Sequence, residues 1–289
     1  MAQVVLVHGI FNHIRGVTPE EAAEHRAAEQ RPRLAGALAR LGLPAPPTVM
    51  AYYADLLATG LPPQAQAAGD GPSLEDLDEQ GLADAVEWLA AAGVAVPPGA
   101  HNRALKPVRQ LIGDLVDGRG GRLTEAARTL MIRRLERLVA GSLLEVKTYT
   151  TRPEPRRLVR ERVAEAIRRE APAVVIAHSL GSYVTYETLH AHPDLTVDLL
   201  VTVGSPLRVP TLARRLEPAL REGRGARPSG VGRWVNLADV GDIVAVPPKL
   251  GEVFPVDADE TCDNGLGFHG LGGYLANGLL TAAIAPYLG

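Results

Sequence analysis

The sequence predicts an α/β fold in which helices cover both faces of a mainly parallel central sheet. Short runs of aliphatic residues recur along the chain, such as VVLV near the N-terminus and AVVIA near the middle. Runs without alternating polar residues are typical of strands that are buried on both faces. Segments with helical apolar spacing stand between them, and this alternation indicates parallel strands joined by crossover helices. The 289 residues suffice for one large α/β domain.

The N-terminal part of the chain predicts two strands and the helix between them. The strand VVLVHGI begins at Val4 and leads into a loop. Thr18, Pro19 and Glu21 then form the signature of a helix start, with an N-cap residue, a proline in the first turn and a capping-box partner. The helix is predicted to run to about Leu41, before the prolines at 44, 46 and 47, and the second strand, TVMAYYADLL, begins at Thr48.

Residues 58–141 interrupt this alternation and are predicted to form a helical insertion. The segment opens with the low-complexity stretch ATGLPPQAQAAGDGPS, which has the composition of a loop. Three amphipathic stripes follow without a strand between them, over residues 74–89, 105–115 and 123–139. Leucine-rich helices over a cleft often act as a lid, so we expect the insertion to cover the active-site mouth and to set substrate size. The alternative is an element that only packs against the core or a second subunit.

Strand and helix alternate again in the second half of the chain. A helix is predicted from Glu154 to Glu170, and Pro172 ends it. The elements expected after it are the strand AVVIA, a helix over 181–190, the strand DLLVTV, a helix over 211–220, the strand RWVNLA, a short strand over 252–256 and a C-terminal helix after His269.

Composition narrows the classes of function. The net charge of −3 provides no general attraction for nucleic acid or anionic membranes. Cys262 is the single cysteine, so an intrachain disulfide is excluded. No apolar stretch is long enough to span a bilayer, and the N-terminus enters a strand without a signal-peptide pattern. We therefore expect a cytoplasmic protein with no nucleic-acid partner and no stable membrane insertion. The sequence does not indicate its oligomeric state.

One serine stands where a buried strand meets a helix. In the stretch VVIAHSLGS, Ser179 follows the strand and directly precedes the helix. Ligands of parallel sheets bind at the carboxyl ends of the strands. A sharp turn at the serine brings the residues two before and two after it together, and these are the small residues Ala177 and Gly181. The N-terminus of the following helix presents free amides to developing negative charge. The pattern therefore predicts a nucleophile on a strand-to-helix elbow.

At this motif the sequence resembles the α/β-hydrolase superfamily. AHSLG is a variant of the family's G-x-S-x-G, with Ala177 in place of the first glycine. LVHGI resembles the oxyanion strand and loop, while GSPL, WVNLADVGDIV and GFHGLGGYL resemble segments of lipase-like members. The resemblance is closest to the lipase, serine-esterase and glycosylphosphatidylinositol inositol-deacylase-like branches, and residues 58–141 lie outside it. It implies one α/β-hydrolase domain over residues 1–289 with a cap insertion.

The resemblance implies a triad in the chain order serine, acid, histidine. His190 and His192 come too early for this order, so His269 is the expected base. The family's acid typically heads a D-x-V segment in the loop after the preceding strand, and Asp242 fits this pattern. Asp239 is the runner-up acid, and its alternative role is a turn-stabilising bond in the same loop.

The oxyanion hole is expected to use two backbone amides. One belongs to Leu180, which follows the nucleophile. The other is expected from Ile10 in the loop after Gly9, with Phe11 as the second choice. Gly9 permits a close approach of the backbone. This loop departs from the glycine-rich form of many esterases.

The resulting hypothesis is a serine hydrolase that cleaves a carboxylic ester or thioester, with an apolar acyl group, through an acyl-enzyme. An amidase, peptidase or acyltransferase would use the same triad, and a non-catalytic binding protein would use the same cleft. No cofactor and no metal are expected. The acidic run DADETCDNG lacks the glycine and glutamate of a calcium loop, so we interpret it as the surface loop that leads to His269. His178 is expected to make a structural bond, since adjacent side chains at an elbow point apart.

Overall fold

The structure is a computed structural model and describes residues 3–58, 72–96, 105–119, 124–265 and 269–288. The chain divides into two compact units. The sheet unit comprises Met1–Leu56 and Pro153–Gly289, and the helical unit comprises Leu57–Arg152.

The sheet unit is built on six parallel strands. These strands are β1 (Val4–Val7), β2 (Thr48–Ala51), β3 (Val174–His178), β4 (Val197–Val203), β5 (Val231–Asp239) and β6 (Ala258–Cys262). They lie in the order β2-β1-β3-β4-β5-β6, and every adjacent pair is parallel. The predicted α/β class with a mainly parallel sheet is therefore confirmed.

The central strands are covered on both faces, as their aliphatic runs predict. Every residue of β1 and β3 is buried, and β1 pairs with β2 through Val4 and Thr48 and with β3 through Val4 and Val174. Successive side chains of a strand point to opposite faces. A strand with both faces buried therefore requires helices on each side of the sheet.

Ten helices of four or more residues occur in the described parts of the chain. They are α1 (Pro19–Ala39), α2 (Ala54–Ala58), α3 (Glu79–Ala91), α4 (Leu105–Arg119), α5 (Glu125–Thr151), α6 (Pro153–Glu170), α7 (Leu180–Ala191), α8 (Pro210–Ala213), α9 (Leu271–Leu275) and α10 (Gly278–Ile284). α1, α9 and α10 share one apolar core with Val4 and Leu6 of β1. α6 contacts β1 and β2, α7 contacts β1 and β3, and their residues are not part of that core. Helices thus cover both faces.

The start of α1 follows the predicted capping box. The Thr18 hydroxyl accepts a hydrogen bond from the Glu21 N–H at 3.2 Å, and the Glu21 carboxylate accepts one from the Thr18 N–H at 2.8 Å. Pro19 occupies the first turn. These bonds satisfy backbone donors that the helix itself leaves unpaired.

Two predicted elements are shorter in the structure. The second strand ends at Ala51 instead of continuing through TVMAYYADLL, because the Tyr53 N–H binds the ring of His8 and α2 begins at the next residue. The helix predicted over 211–220 ends at Ala213. Beyond it, the Glu217 N–H donates to the buried Glu187 carboxylate at 2.9 Å. A tertiary contact overrides the local pattern in each case, a strand pattern in the first and a helical pattern in the second.

The last strand lies later than predicted. Residues 250–252 form a 3₁₀ turn, and the strand is β6, within the acidic run that was interpreted as a surface loop. The apolar Phe254 is buried in a loop and does not belong to a strand. β6 is a half-exposed edge strand, and it tolerates charged side chains. The predicted C-terminal helix is two short helices, α9 and α10.

The helical unit contains a 3₁₀ turn, Leu74–Asp76, followed by α3, α4 and α5. No strand occurs among its described residues. It extends to Arg152, whereas the predicted insertion ends at residue 141, because α5 continues without a break to Thr151. Leu123 of the third predicted stripe lies outside the described residues. No helix in the described parts of the chain is long and apolar enough to cross a membrane.

Candidate active site

The edge of the sheet where the site lies is set by the strand order. The chain places β2 on one side of β1 and β3 on the other, so the order reverses beside β1. In open parallel sheets, ligands bind at the carboxyl ends of the strands beside such a reversal. The loop after β1 and the turn after β3 meet there, since a Cβ added to Gly9 would lie 2.6 Å from the Cβ of Ser179.

Ser179 occupies a strained turn between β3 and α7. Its φ of 53° and ψ of −130° are unusual for a residue with a side chain. The turn is held by the Ser179 N–H, which donates to the Val203 carbonyl at 3.0 Å, and by the Ser179 carbonyl, which accepts from the Ser182 N–H at 2.9 Å and from its hydroxyl at 2.6 Å. The hydroxyl of Ser182 also bonds Ser205 at 2.8 Å. Neighbouring elements therefore fix the backbone of the serine.

The small residue after the serine is required by the approach of β1. A Cβ on Gly181 would lie 2.4 Å from the carbonyl oxygen of His8 and 2.6 Å from that of Val7. Backbone atoms cannot give way as a flexible side chain can. Ala177, in the position of the first glycine of the motif, is fully buried in β3, and its methyl group is accommodated.

The expected base lies against the expected nucleophile. The Nε2 atom of His269 is 3.1 Å from the Ser179 Oγ, and its Nδ1 atom is 2.9 Å from both carboxylate oxygens of Asp242. Because a carboxylate only accepts, the proton of a neutral ring belongs on Nδ1, and Nε2 then accepts from the serine hydroxyl. Residues 266–268, which precede His269, lie outside the described residues.

The carboxylate of Asp242 is buried but fully engaged. Its Oδ1 atom accepts from the Val244 N–H at 2.8 Å and from the Ala245 N–H at 3.4 Å, and its Oδ2 atom accepts from the Tyr274 hydroxyl at 2.8 Å. Burial alone raises the pKa of Asp242, but the charge and hydrogen bond of His269, together with these donors, hold the pKa below its ordinary value. Asp242 is therefore a stable anion facing the imidazole.

Asp239, the runner-up acid, is directed elsewhere. Its Oδ1 atom accepts from the Gly241 N–H at 2.7 Å, and its Oδ2 atom accepts from the Asn264 N–H. Burial raises the pKa of this carboxyl group. The contacts match the turn-stabilising alternative, because Oδ1 holds the turn between β5 and Asp242, and Oδ2 ties this turn to the segment after β6.

The two expected oxyanion donors belong to the turn after β3 and to the loop after β1. Leu180 is the first residue of α7, so its N–H has no acceptor within the helix. Ile10 is buried in the loop after β1. Phe11, the second choice, has a φ of 60° and a side chain that is 44% exposed.

A side-chain amide orients the loop that contains Ile10. The Gly9 carbonyl accepts from the His8 ring at 2.7 Å and from the Asn12 side chain at 3.1 Å, and the Ile10 carbonyl accepts from Asn12 at 2.8 Å. The peptide between Gly9 and Ile10 is trans, and in a planar trans peptide the N–H points opposite to the carbonyl. The Ile10 N–H therefore points away from Asn12.

Two buried histidines support the site without joining the triad. The His178 Nε2 atom donates to the backbone carbonyl of His269 at 2.6 Å, which ties the base to the strand of the nucleophile. Burial, and then the proximity of His269, lowers the pKa of His178 to about 3. The His8 ring accepts from the Tyr53 N–H at 3.1 Å, and burial lowers its pKa to about 4. Both rings are neutral at physiological pH, and the structural bond expected of His178 is present.

Sequence reasoning missed two contacts of the acid. Tyr274 bonds Asp242, and Gly204 packs against it: a Cβ on Gly204 would lie 2.8 Å from Asp242 Oδ2. Tyr274 stands five residues after His269 in GFHGLGGYL, and Gly204 begins GSPL. Both segments carry only a family resemblance in the sequence, since nothing local indicates that they meet.

The acidic run around β6 serves the sheet. Asp259 accepts from the Asn236 side chain at 2.8 Å and from the Gly251 N–H at 2.7 Å. No group of His, Cys, Asp and Glu residues suited to a metal ion occurs among the described residues. Cys262 is buried, which raises the pKa of its thiol to about 11, so the thiol stays protonated.

Comparison with known proteins found no matching family model, no matching curated protein and no matching solved structure. The function is therefore inferred from the geometry of the site.

Proposed function

We propose that this chain is a serine hydrolase of the α/β-hydrolase fold that cleaves a carboxylic ester or thioester. The observation that carries the proposal is the continuous contact from Asp242 through His269 to Ser179, with distances of 2.9 and 3.1 Å. A serine hydroxyl needs a base to become a nucleophile, and the base needs a group that fixes its tautomer. The strained elbow at the end of a central strand is the second support.

Acylation begins when the Ser179 hydroxyl attacks the carbonyl carbon of the ester and His269 Nε2 takes its proton. The carbonyl π electrons move to oxygen, and the amides of Leu180 and Ile10 stabilise this oxyanion. As the oxyanion collapses, the bond to the leaving group breaks, and His269 donates its proton to the departing alcohol or thiol. The acyl group is then covalently attached to the serine.

Deacylation repeats these steps with water as the nucleophile. His269 takes a proton from the water, hydroxide adds to the acyl carbon, and the serine leaves with the proton returned by His269. Throughout the cycle, Asp242 remains ionised and stabilises the imidazolium. No metal or cofactor enters the proposal. The role of the helical unit as a lid for an apolar acyl group stays a prediction.

The proposal is tested by labelling with a fluorophosphonate, which phosphonylates an activated serine. Wild-type protein should be labelled and should hydrolyse short p-nitrophenyl esters. Ser179→Ala should fold, lose labelling and lose turnover by about 10⁴–10⁶-fold. Ser229→Ala, at an exposed serine, is the matched control and should behave as wild type.

The proposal fails if Ser179→Ala is still labelled, or if the folded wild-type protein is neither labelled nor active over a panel of esters and thioesters. Parallel assays with p-nitroanilides separate an esterase from an amidase, because the two reactions share the triad and differ in the leaving group.

A further inference from the structure

Tyr274 makes two buried hydrogen bonds beside the candidate triad. Its hydroxyl lies 2.8 Å from Asp242 Oδ2 and 2.9 Å from the backbone nitrogen of Asp239, and the side chain is fully buried. The Asp239 N–H can only donate, so it donates to the tyrosine oxygen. The phenolic proton is therefore free to bond the Asp242 carboxylate.

The bond from Tyr274 completes the fixation of the carboxylate plane. Backbone amides after Asp242 hold Oδ1, and they belong to the same loop as the acid. Oδ2 is held by Tyr274, which belongs to α9, the helix that follows the base. Fixing one oxygen leaves a carboxylate free to rotate about the bond to its Cβ, whereas fixing both sets the plane that faces His269.

Resting on the proposed function, we propose that Tyr274 is a positioning residue for the triad, acting through Asp242. Its hydroxyl holds the carboxylate in the plane of the His269 Nδ1–H and disperses part of the negative charge. Tyr274 stands in α9, which begins two residues after His269, so the base and the partner of the acid are close neighbours along the chain.

A purely structural role would also explain a tyrosine that satisfies the buried Asp239 N–H. The two roles differ in what removal of the hydroxyl changes. A structural tyrosine affects the free energy of unfolding alone. A positioning tyrosine also affects turnover and the pH dependence of the rate, because a carboxylate without this donor concentrates its charge and stabilises the imidazolium more strongly.

Four ionisable groups besides Tyr274 surround Asp242 within the described residues, and they are His178, Asp239, Cys262 and His269. Burial keeps the His178 ring neutral, with a pKa of about 3, and keeps the Cys262 thiol protonated. Asp239, whose pKa burial raises, is the one further group that titrates on the acid side. Asp239→Asn measured alongside identifies its contribution to the pH profile.

The test compares Tyr274→Phe with Tyr183→Phe. Tyr183 is also fully buried, and its hydroxyl bonds the carbonyl of Leu212 at 3.2 Å, far along the chain from the acid. Both variants remove one buried hydroxyl. We expect Tyr274→Phe to lower kcat by about 10- to 100-fold with little change in KM, since misplacement of a catalytic group is costly. Its acid limb of kcat/KM should move to higher pH by about half a unit. Tyr183→Phe should change neither.

A proton NMR measurement gives a readout that needs no substrate. The low-field resonance of the His269 Nδ1–H reports its bond to Asp242, and it should move in Tyr274→Phe and stay in Tyr183→Phe. A wild-type protein that is not labelled by fluorophosphonate overturns the proposed function. The resonance then still tests whether Tyr274 positions Asp242 against His269. An active wild type with an unchanged resonance and pH profile in Tyr274→Phe overturns the positioning role. Equal changes in both tyrosine variants also overturn it.

Discussion

Two regions of the candidate site are stabilised by different kinds of interaction. One is the elbow around Ser179, and the other is the acid–base end, which consists of Asp242, His269 and Tyr274. At the elbow, packing of backbone against backbone dominates: no side chain fits at Gly181, because the carbonyls of His8 and Val7 occupy the space. At the acid–base end, side-chain hydrogen bonds dominate, and they join Asp242 to His269 and Tyr274 across 27 and 32 positions of the chain. The elbow therefore depends on the exclusion of side-chain volume, whereas the acid–base end depends on the direction of hydrogen bonds.

This difference determines how each end responds to substitution. Volume exclusion tolerates changes in chemistry as long as the residue stays small, and Ala177, which is fully buried in β3, is such a residue. A directional network of hydrogen bonds tolerates changes in donors and acceptors less than changes in size. We therefore expect isosteric substitutions to cause a small loss of activity at the elbow and a large loss at the acid–base end. The hydroxyl of Ser179 is the exception at the elbow.

The largest effect that tests the comparison is expected at the two aspartates after β5. Asp242→Asn keeps the size of the side chain but offers an amide to Nδ1 of His269, so the ring takes the wrong tautomer. Turnover should fall by about 10⁴-fold. Asp239→Asn removes a carboxylate that only binds backbone amides, so it should cost far less in rate and some thermal stability.

Both aspartate variants are assayed at saturating ester, with melting temperatures as the control for folding. An inactive Asp239→Asn beside a near-wild-type Asp242→Asn would reverse the assignment of the acid. Equal losses in both would mean that the loop acts as one structural unit, without a distinct orienting acid.

A smaller effect on activity is expected at Gly204, because a side chain there would collide with groups of the acid–base end. Gly204 has a φ of 57°, and a Cβ there would lie 2.8 Å from Asp242 Oδ2 and 3.2 Å from a ring carbon of Tyr274. Gly223 has a φ of 74° with open space around it. Alanine at either site should cost about 1 kcal/mol of stability for the left-handed backbone. Only Gly204→Ala should also lower kcat, by about 100-fold, because it displaces the carboxylate.

The glycine pair is compared by kcat and by urea denaturation on the same samples. A loss of activity in both variants would attribute the effect to backbone strain. Unchanged activity in Gly204→Ala would show that the carboxylate can shift without consequence, and the directional interpretation of this end would then be wrong.

The same difference explains what the sequence predicted. The α/β class and the elbow were predictable, because buried parallel strands are written as aliphatic runs and a tight turn needs small residues at fixed offsets. The acid was predicted mainly through a family resemblance, since Asp239 and Asp242 stand three residues apart on one loop. Their separation in role depends on where the loop goes after β5. Tyr274 had no local signal, because its partner is remote along the chain.

Errors in the secondary structure have the same origin. β6 was missed because an edge strand with one exposed face, ADETC, lacks an aliphatic run. The apolar residues before it, including Phe254, anchor a loop in the core instead. The helix after residue 210 was overestimated because Glu187, a buried carboxylate on α7, captures the backbone of Glu217. In each case a contact remote in sequence outweighed the local pattern.

The stability of the folded protein should decrease in acid, because two histidines near the elbow are buried in their neutral form. The folded-state pKa values are about 4 for His8 and about 3 for His178, and both lie below the ordinary value of 6.5. The unfolded chain therefore binds more protons than the folded chain between these values and pH 6.5. The stability from neutral burial is complete above pH 6.5 and is lost as the pH falls toward 4. Each histidine contributes a slope of about 1.4 kcal/mol per pH unit, so the pair contributes about 3.

Urea unfolding at several pH values between 6.5 and 5 measures this slope directly. His178→Gln keeps an amide donor near the position of Nε2 for the His269 carbonyl, but it cannot take up a proton in this range. Its overall stability is expected to fall, yet its pH slope should decrease by about one proton. Asp242, whose pKa is held below its ordinary 3.8, adds its loss at lower pH, so it does not disturb the measured window. An unchanged slope in His178→Gln would mean that the His178 ring is not buried in its neutral form. The assigned hydrogen bond from this ring to the His269 carbonyl would then be wrong.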